Sequence, residues 1–298
     1  MTLQPVLEIG GTHVTAAVVE GGVWEVRRQR RFPLDSHAPA TVILDTLANA
    51  ARSVYEGTAA HWGVAIPGPF DNTIGVGSFT GVGKFESLAG LHLATELASR
   101  MPEVADAFVF VNDADAFAMG EWILLDPAVD RAVFLTLGTG VGSSFLDQGK
   151  PAAGAAGIPP HGHVHHLEWN GLPIEETVSR RALIRGFESV TGIRLDVHEI
   201  ASRAREGDRP SKAVFDRAFT ALGECIAPSV TTFDADVIIV GGSIASSWEL
   251  VHNPLGRGLD AGGLNAADRF LWRARSPHVS PLVGAARAAR LLQAVHPE

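Results

Sequence analysis

Val6-Leu-Glu-Ile-Gly-Gly-Thr-His-Val-Thr-Ala-Ala-Val-Val-Glu-Gly-Gly22 is the stretch that decides the fold, because a second stretch of the same pattern follows it later in the chain. The second copy, Val133-Phe-Leu-Thr-Leu-Gly-Thr-Gly-Val-Gly-Ser-Ser-Phe-Leu-Asp-Gln-Gly149, aligns with the first without gaps. Each copy reads as an apolar strand, a turn of Gly and Thr, a second strand and a closing Gly. The repeat predicts two lobes that share one topology.

The rest of the chain alternates strands with helices, which predicts the α/β class. Helical apolar spacing covers 40–55, 93–101, 114–125, 175–190, 213–232 and 282–295, and apolar strand-like runs cover 61–67, 108–111 and 237–240. A chain of 298 residues exceeds the usual size of one domain, so we expect two cores.

Composition narrows the classes of function. The formal net charge is −9 and the Lys and Arg residues are scattered, which argues against binding to a nucleic-acid backbone. The single cysteine, Cys225, excludes an internal disulfide and a multi-cysteine metal site. Every apolar run is interrupted before membrane-spanning length, and no basic segment opens the chain. We therefore expect a cytoplasmic protein without a membrane partner.

The two Gly-Thr turns have the composition of a phosphate clamp. Glycine lets backbone N–H groups approach phosphate oxygens, and the threonine hydroxyl adds a donor; two ordinary hairpins are the alternative. Gly138-x-Gly140-x-Gly142 is not a dinucleotide fingerprint, because Ser143 to Leu146 continue as a strand where that fingerprint opens a helix. The sequence also contains no P-loop motif.

A polar pair, Asn112-Asp113, stands where a predicted strand gives way to a predicted helix. Such a pair is often a helix cap. It is also the position from which a carboxylate can act as a general base, so both readings stay open.

A series of short motifs follows along the chain: Ile9-Gly-Gly-Thr12, Pro67-Gly-Pro69, Asn112-Asp113-Ala-Asp-Ala116, Leu137-Gly-Thr-Gly140, Gly162-His163, Glu175-x3-Ser179 and Val240-Gly-Gly-Ser-Ile244. In this order, and over essentially the whole chain, they resemble the ROK sugar-kinase family. The resemblance implies two actin-like, ribonuclease-H-like α/β lobes with a cleft between them. It assigns an N-terminal lobe to 1–112, with a C-terminal helix at 283–298 returning to it, and a C-terminal lobe to 113–282.

The resemblance also implies an activity, the ATP-dependent phosphorylation of a sugar hydroxyl, with Asp113 as the general base. A carboxylate is ionised at neutral pH, so we expect this role to need placement more than pKa tuning. The acceptor would contact Pro67, Gly68, Asn112, His163 and Glu175. ATP would contact Gly10, Gly11, Thr12, Gly138, Thr139 and Gly140 with its phosphates, and Gly241, Gly242 and Ser243 near the adenine. Mg²⁺ is expected on the phosphates, with Glu8 reaching it through water.

Several positions depart from the family pattern, and most lie on the acceptor side. Glu8 replaces the usual Asp, and Pro160 replaces an acidic residue that accepts a hydrogen bond from the sugar. Lys84 stands near a position usually held by Asn or Trp, and we expect a solvated loop lysine there, the alternative being an acceptor contact. Asp115 replaces an Asn and is either a second carboxylate near the base or a favourable charge in the first helical turn.

The family's structural zinc site, built from one His and three Cys, cannot form in this chain because those cysteines are absent. The His161-Gly-His163-Val-His165-His166 stretch could bring imidazoles together, but without thiolate or carboxylate partners a structural zinc is not expected.

The leading hypothesis is therefore a glucokinase-like hexose kinase. Its rivals are a kinase of an amino sugar or a C7 cyclitol of natural-product biosynthesis, favoured by Pro160, and a non-catalytic sugar-binding sensor. Repressors of the family carry a winged helix-turn-helix before the first Gly-Gly-Thr, where this sequence shows few residues. A homodimer, as in relatives, is a further expectation.

Overall fold

A computed structural model describes residues 2–55, 57, 60–125, 129–264 and 270–295. The described residues form two compact units, one within 1–123 and 278–298 and the other within 124–277. We call them unit 1 and unit 2. The last three residues of the predicted C-terminal helix, 296–298, lie outside the described residues.

Each unit contains one five-stranded sheet with helices. The strands are β1 Thr2–Ile9, β2 His13–Gly21, β3 Glu25–Pro33, β4 Ala60–Ile66, β5 Phe70–Asp71, β6 Val76–Gly77, β7 Ala105–Asn112, β8 Arg131–Leu137, β9 Val141–Asp147, β10 Lys150–Pro151, β11 Glu168–Trp169, β12 Leu172–Pro173, β13 Val237–Gly241 and β14 Leu271–Arg273. The helices are α1 Ala40–Arg52, α2 Leu93–Arg100, α3 Asp113–Ile123, α4 Glu175–Val178, α5 Arg180–Thr191, α6 Val197–Arg205, α7 Arg209–Phe233, α8 Trp248–Ala261 and α9 Ser280–Val295. Short 3-10 helices cover Glu86–Leu88, Pro160–Gly162, Val164–His166 and Ile244–Ser247.

The two sheets have the same topology. Unit 1 has the order β3-β2-β1-β4-β7 and unit 2 the order β10-β9-β8-β13-β14. In both, two antiparallel pairings come first and parallel pairings follow. The α/β class and the shared topology predicted from the repeat are therefore confirmed.

The two hairpins of the repeat differ by one residue in register. Ile9 pairs with Val14 in the first hairpin, which leaves a four-residue turn. Leu137 pairs with Val141 in the second, which leaves a three-residue turn. A gapless alignment therefore matches the first strands and the turns but displaces the second strands by one position.

The C-terminal helix α9 packs on unit 1 at glycine residues. A Cβ added at Gly63 of β4 would lie 2.2 Å from the carbonyl oxygen of Ala285, and one added at Gly284 would lie 1.7 Å from that of Ala116 in α3. Only glycine permits such close approach of two backbones. Because α3 packs on α9, the helix that begins at Asp113 belongs to unit 1, whereas the sequence analysis began the second lobe there.

Each unit has its own apolar core. Residues 62–66 of β4 are all buried in unit 1, and 132–135 of β8 and 237–241 of β13 are all buried in unit 2. Runs of consecutive buried residues are typical of parallel strands covered on both faces. Among the described helices, none combines the length and the apolar character that a bilayer crossing requires.

Candidate active site

The polar motifs of unit 1 lie at one edge of its sheet. Strands β1, β4 and β7 are parallel, and each is followed directly by a predicted site segment: Gly10 to Thr12, Pro67 to Gly68, and Asn112 to Asp113. The carboxyl ends of parallel strands are where open α/β sheets bind ligands. The structure therefore brings together the predicted site residues that belong to unit 1.

The first Gly-Thr turn is closed by its own backbone. The N–H of Gly10 donates to the carbonyl of His13 at 2.8 Å, and the N–H of Leu34 donates to the carbonyl of Thr12 at 3.0 Å. Thr12 is exposed, with its hydroxyl 3.3 Å from Nδ1 of His13. The turn thus presents a hydroxyl at the sheet edge.

Asn112 and Asp113 both cap helix α3. The N–H of Ala114 donates to Oδ1 of Asn112 and to Oδ1 of Asp113, each at 2.9 Å. A Cβ added at Gly68 would lie 3.7 Å from Nδ2 of Asn112, so the amide also faces the Pro67-Gly68 segment. Capping is thus one of the roles of the pair, and the bond to Ala114 engages one carboxylate oxygen of Asp113.

The Asp113 carboxyl group is reached by solvent although protein surrounds it closely. Partial desolvation raises its pKa above the ordinary value, and the charge of Lys84 and the backbone N–H of Ala114 act in the opposite direction. The sequence led us to expect that placement would matter more than pKa tuning. The structure adds an environment that makes this carboxylate a stronger base than a free aspartate.

Glu8 lies near Asp113 and belongs to a row of paired residues that crosses three adjacent strands. Glu8 pairs with Thr15, and Thr15 pairs with Arg31 on the next strand. Burial raises the pKa of Glu8, the Thr15 hydroxyl and Arg31 lower it, and the charge of Asp113 raises it further. The repulsion between the two carboxylates would be relieved by a hard cation, which prefers oxygen ligands, so these residues fit the expected Mg²⁺.

Lys84 is placed differently from the expectation of a solvated loop lysine. It is half-buried, and its charge reaches Asp113. The neighbouring Phe85 is fully buried, and the N–H of Gly83 donates to the Glu86 carboxylate at 3.0 Å, so both flanks of Lys84 are fixed. Lys84 is therefore a loop lysine that is only partly solvated, and an acceptor contact stays a prediction.

The second Gly-Thr turn lies in unit 2 and is supported by Glu175. The N–H of Gly138 donates to the Gly140 carbonyl at 3.0 Å, and Thr139 is exposed as Thr12 is. The Glu175 carboxylate accepts from the N–H of Val141 at 3.1 Å. A Cβ added at Gly140 would lie 2.6 Å from Oε2 of Glu175, so a larger residue at this position would displace the carboxylate. Glu175, predicted as an acceptor contact, lies in this unit against the second Gly-Thr turn.

The Gly241-Gly242-Ser243 segment begins at the last residue of β13, the parallel neighbour of β8. A Cβ added at Gly138 would lie 3.3 Å from Oγ of Ser243, so the segment borders the second turn. Gly242 has φ +90° and would place a Cβ 2.3 Å from the Leu137 carbonyl oxygen. Both facts require glycine at position 242.

The histidine loop of unit 2 is held by Ser143. The Ser143 hydroxyl donates to the Gly162 carbonyl at 2.5 Å and accepts from the N–H of Val164 at 2.9 Å. His163 is half-buried; its burial, aided by the neighbouring histidines, lowers its pKa to about 4. Asn112 and His163, both predicted to contact the acceptor, belong to different units.

Two charged neighbours of the site, Arg31 and Arg181, were not predicted from the sequence. Arg31 acts on Glu8 and on His13, and Arg181 donates to Glu175 at 3.3 Å. Lys84 was considered but assigned to solvent. The cross-strand row from Glu8 to Arg31 was accessible in principle, because hairpin register places directly opposite side chains on one face.

Comparison with known proteins agrees with this arrangement. The model of the ROK family matches residues 6–291. The glucokinase of Thermotoga maritima is 28% identical over 275 residues, 84% of this chain and 84% of the relative. The N-acetylmannosamine kinase of Escherichia coli O139:H28 is 28% identical over 249 residues, 80% of this chain and 82% of the relative.

A solved structure, the ROK family glucokinase from Streptomyces griseus in complex with glucose and AMPPNP, has a TM-score of 0.76 at 23% identity, covering 97% of this chain and 100% of that chain. At this identity the similarity concerns the fold, which is the two-lobe actin-like kind predicted from the sequence. Because the family model covers nearly the whole length, the chain belongs to the ROK family.

Proposed function

We propose that this protein is an ATP-dependent kinase that transfers the γ-phosphoryl group of Mg-ATP to a hydroxyl of a sugar or a sugar-like ring. The observation that carries the proposal is the edge of the unit 1 sheet. There Asp113, a carboxylate with a raised pKa, shares the edge with a Gly-Thr turn suited to phosphate and with Glu8.

Asp113 accepts the proton of the acceptor hydroxyl as that oxygen attacks the γ-phosphorus. The hydrogen bond from the N–H of Ala114 fixes the direction of the Asp113 side chain. A raised pKa brings the proton affinity of this base closer to that of the hydroxyl it deprotonates. Asn112 orients a second hydroxyl of the ring while its own Oδ1 stays on the helix. Pro67 and Gly68 form the wall beside that amide.

Each Gly-Thr turn donates backbone N–H groups and a hydroxyl to ATP phosphates. Gly11 and Thr12 serve this role in unit 1, and Thr139 and Gly140 serve it in unit 2. Gly10 and Gly138 close the two turns with their own N–H groups and so hold these donors in place. Gly241, Gly242 and Ser243 accompany the nucleotide near its adenine. Glu8 would hold a water of bound Mg²⁺, and the cation would supply charge neutralisation at the phosphates.

This chain differs from the family pattern mainly in residues on the acceptor side. The relatives are, by name, a glucokinase and an N-acetylmannosamine kinase. Pro160 supplies no side-chain acceptor where the family has an acidic residue. Lys84 adds a positive charge near Asp113, which disfavours a protonated amine at that point. Among the rivals of a hexose, a neutral cyclitol therefore fits better than an amino sugar.

An ADP-release assay with Mg-ATP tests the proposal. The acceptor panel contains glucose, mannose, N-acetylmannosamine, glucosamine, kanosamine and valiolone-type cyclitols. The proposal predicts turnover with at least one neutral polyol and a lower kcat/KM for its amino analogue. If no member of the panel raises ADP release above the acceptor-free rate and calorimetry shows no ATP binding, a non-catalytic sugar-binding role replaces the kinase.

A further inference from the structure

The histidine loop of unit 2 contains a cluster of nitrogen donors, and two of its members, His165 and His166, have no part in the proposed kinase chemistry. One donor nitrogen from each of His163, His165 and His166 can be chosen so that all three lie within 4.8 Å of one another. The ring centroids of His163 and His165 are 5.1 Å apart, and those of His165 and His166 are 4.0 Å apart. The three imidazoles thus form one cluster of donor nitrogens.

We propose that His163, His165 and His166 bind one transition-metal dication, with Zn²⁺ as the expected occupant. Imidazole nitrogen is a preferred ligand of Zn²⁺, and three histidines with one open position are a known zinc donor set. Zn–N bonds of about 2.0–2.1 Å place the nitrogens of a tetrahedral site about 3.4 Å apart. Metal binding would therefore draw together nitrogens that now lie within 4.8 Å of one another, and the exposed side chain of His166 has room to move.

The backbone holds the loop in the shape that makes the three rings converge. Val164 is fully buried between the ligands, and its N–H is bonded to Ser143. The N–H of Leu167 then donates to the Val164 carbonyl at 2.9 Å, closing the short helix that contains His165 and His166. Because the backbone is already ordered, metal binding does not have to pay for ordering it.

This donor set differs from the His and Cys set whose absence led to the expectation of no structural zinc. It needs no thiolate, since the other two ligands, His165 and His166, come from the same short stretch as His163. The two ring nitrogens of His163 are distinct, so one can bind the metal while the other donates to an acceptor hydroxyl.

Metal titration of the full chain, purified without a polyhistidine tag and stripped with a chelator, tests the site. ZnSO₄ is titrated against a chromophoric chelator, and CoCl₂ is added separately to record visible absorption bands. The variants are His166→Ala and the double variant His165→Ala with His166→Ala. The matched controls are His161→Asn in the same loop, where Asn tolerates the left-handed backbone, and the exposed His198→Ala on α6.

Wild type and both controls are expected to bind one Zn²⁺ per chain, with a rise of the melting midpoint on zinc addition. His166→Ala is expected to weaken Zn²⁺ binding at least about tenfold, since loss of mere outer-sphere support already costs that much. Circular dichroism and ATP titration confirm that the variants fold. No stoichiometric zinc in wild type, or equal binding by the double variant, would overturn the proposal. Neither readout needs kinase turnover, so the site and the proposed function fail independently.

Discussion

Asp113 fits both roles that its sequence context left open, helix cap and general base. Its Oδ1 caps α3, and its surroundings raise its pKa. Sequence motifs located this carboxylate, because a strand end before a helix start is visible in the residue pattern. They did not reveal Lys84 as its neighbour, since that lysine arrives on a loop whose path depends on buried Phe85.

The Lys84 charge is expected to keep the general base active at acidic pH. A carboxylate acts as a base only when it is deprotonated, so activity is present above its pKa and is lost as the pH falls through it. Lys84 lowers the pKa of Asp113, which otherwise is raised by burial. In Lys84→Met the acidic limb of the kcat/KM profile therefore moves to higher pH, as pH-rate measurements with a fixed acceptor will record.

Lys84→Arg retains the charge and is the matched control, with an acidic limb close to that of wild type. A Lys84→Met profile that superimposes on the wild-type profile would show that Lys84 has no electrostatic effect on the base.

At the scale of elements, helices with strong apolar periodicity were predicted well from the sequence. Some helices that contain Pro or Gly were not predicted. The predicted helices at 40–55, 93–101 and 114–125 correspond to α1, α2 and α3, each ending within three residues of the prediction. The predicted helix around 175–190 is divided into α4 and α5 at Ser179, which is extended (φ −68°, ψ 161°).

Three elements went unpredicted for identifiable reasons. Helix α8 contains Pro254, Gly256 and Gly258, residues that ordinarily argue against a helix. Strand β3 is mostly charged and lies at the sheet edge, where the alternation of buried and exposed residues is weak. Helix α6 is short and strongly charged, and it is stabilised by a capping box between Asp196 and Glu199.

The segment after β13 is expected to tolerate no side chain at position 242. Gly242→Ala places a Cβ against the Leu137 backbone at a φ that alanine rarely adopts. We expect a loss of about 1–3 kcal/mol in the free energy of unfolding, from backbone strain of this kind. Chemical denaturation followed by circular dichroism measures it.

Gly186→Ala on α5 is the control, because its Cβ would meet only Cγ1 of Val214, at an ordinary 3.8 Å. Alanine favours a helix interior over glycine, so this variant should be about 0.5–1 kcal/mol more stable than wild type. If Gly242→Ala were as stable as Gly186→Ala, the close packing of the segment on β8 would be contradicted.

At the scale of the whole molecule, one topology occurs twice and each copy has its own core. The sequence repeat predicted this duplication because hairpins with Gly-Thr turns keep a readable pattern. The boundary between units was harder to predict, because α3 belongs with α9, which lies far away in sequence, through contacts at glycines.

Because each unit has its own core, we expect a destabilising substitution to affect only the unit that contains it. Gly284→Ala forces a Cβ into the Ala116 carbonyl and should destabilise unit 1 by about 1–3 kcal/mol through overpacking. Hydrogen exchange read by mass spectrometry should then show faster exchange in β4 and β7 and unchanged protection in β8 and β13. Gly242→Ala serves as the reciprocal variant, and equal loss in both sheets from either variant would contradict independent cores.

The measurement that tests the central claim most directly is phosphoryl transfer by Asp113→Asn beside wild type and Asp45→Asn. Asp45 is an exposed carboxylate of α1 paired with Arg100 at 3.1 Å, so its loss should leave turnover and stability nearly unchanged. Each protein receives Mg-ATP and the best acceptor of the panel, and the phosphorylated product is followed by mass spectrometry while calorimetry reports ATP affinity. The account predicts that Asp113→Asn binds ATP as wild type does but forms product about 10²–10⁴-fold more slowly. Product formation at the wild-type rate by Asp113→Asn would contradict the assignment of this residue as the general base.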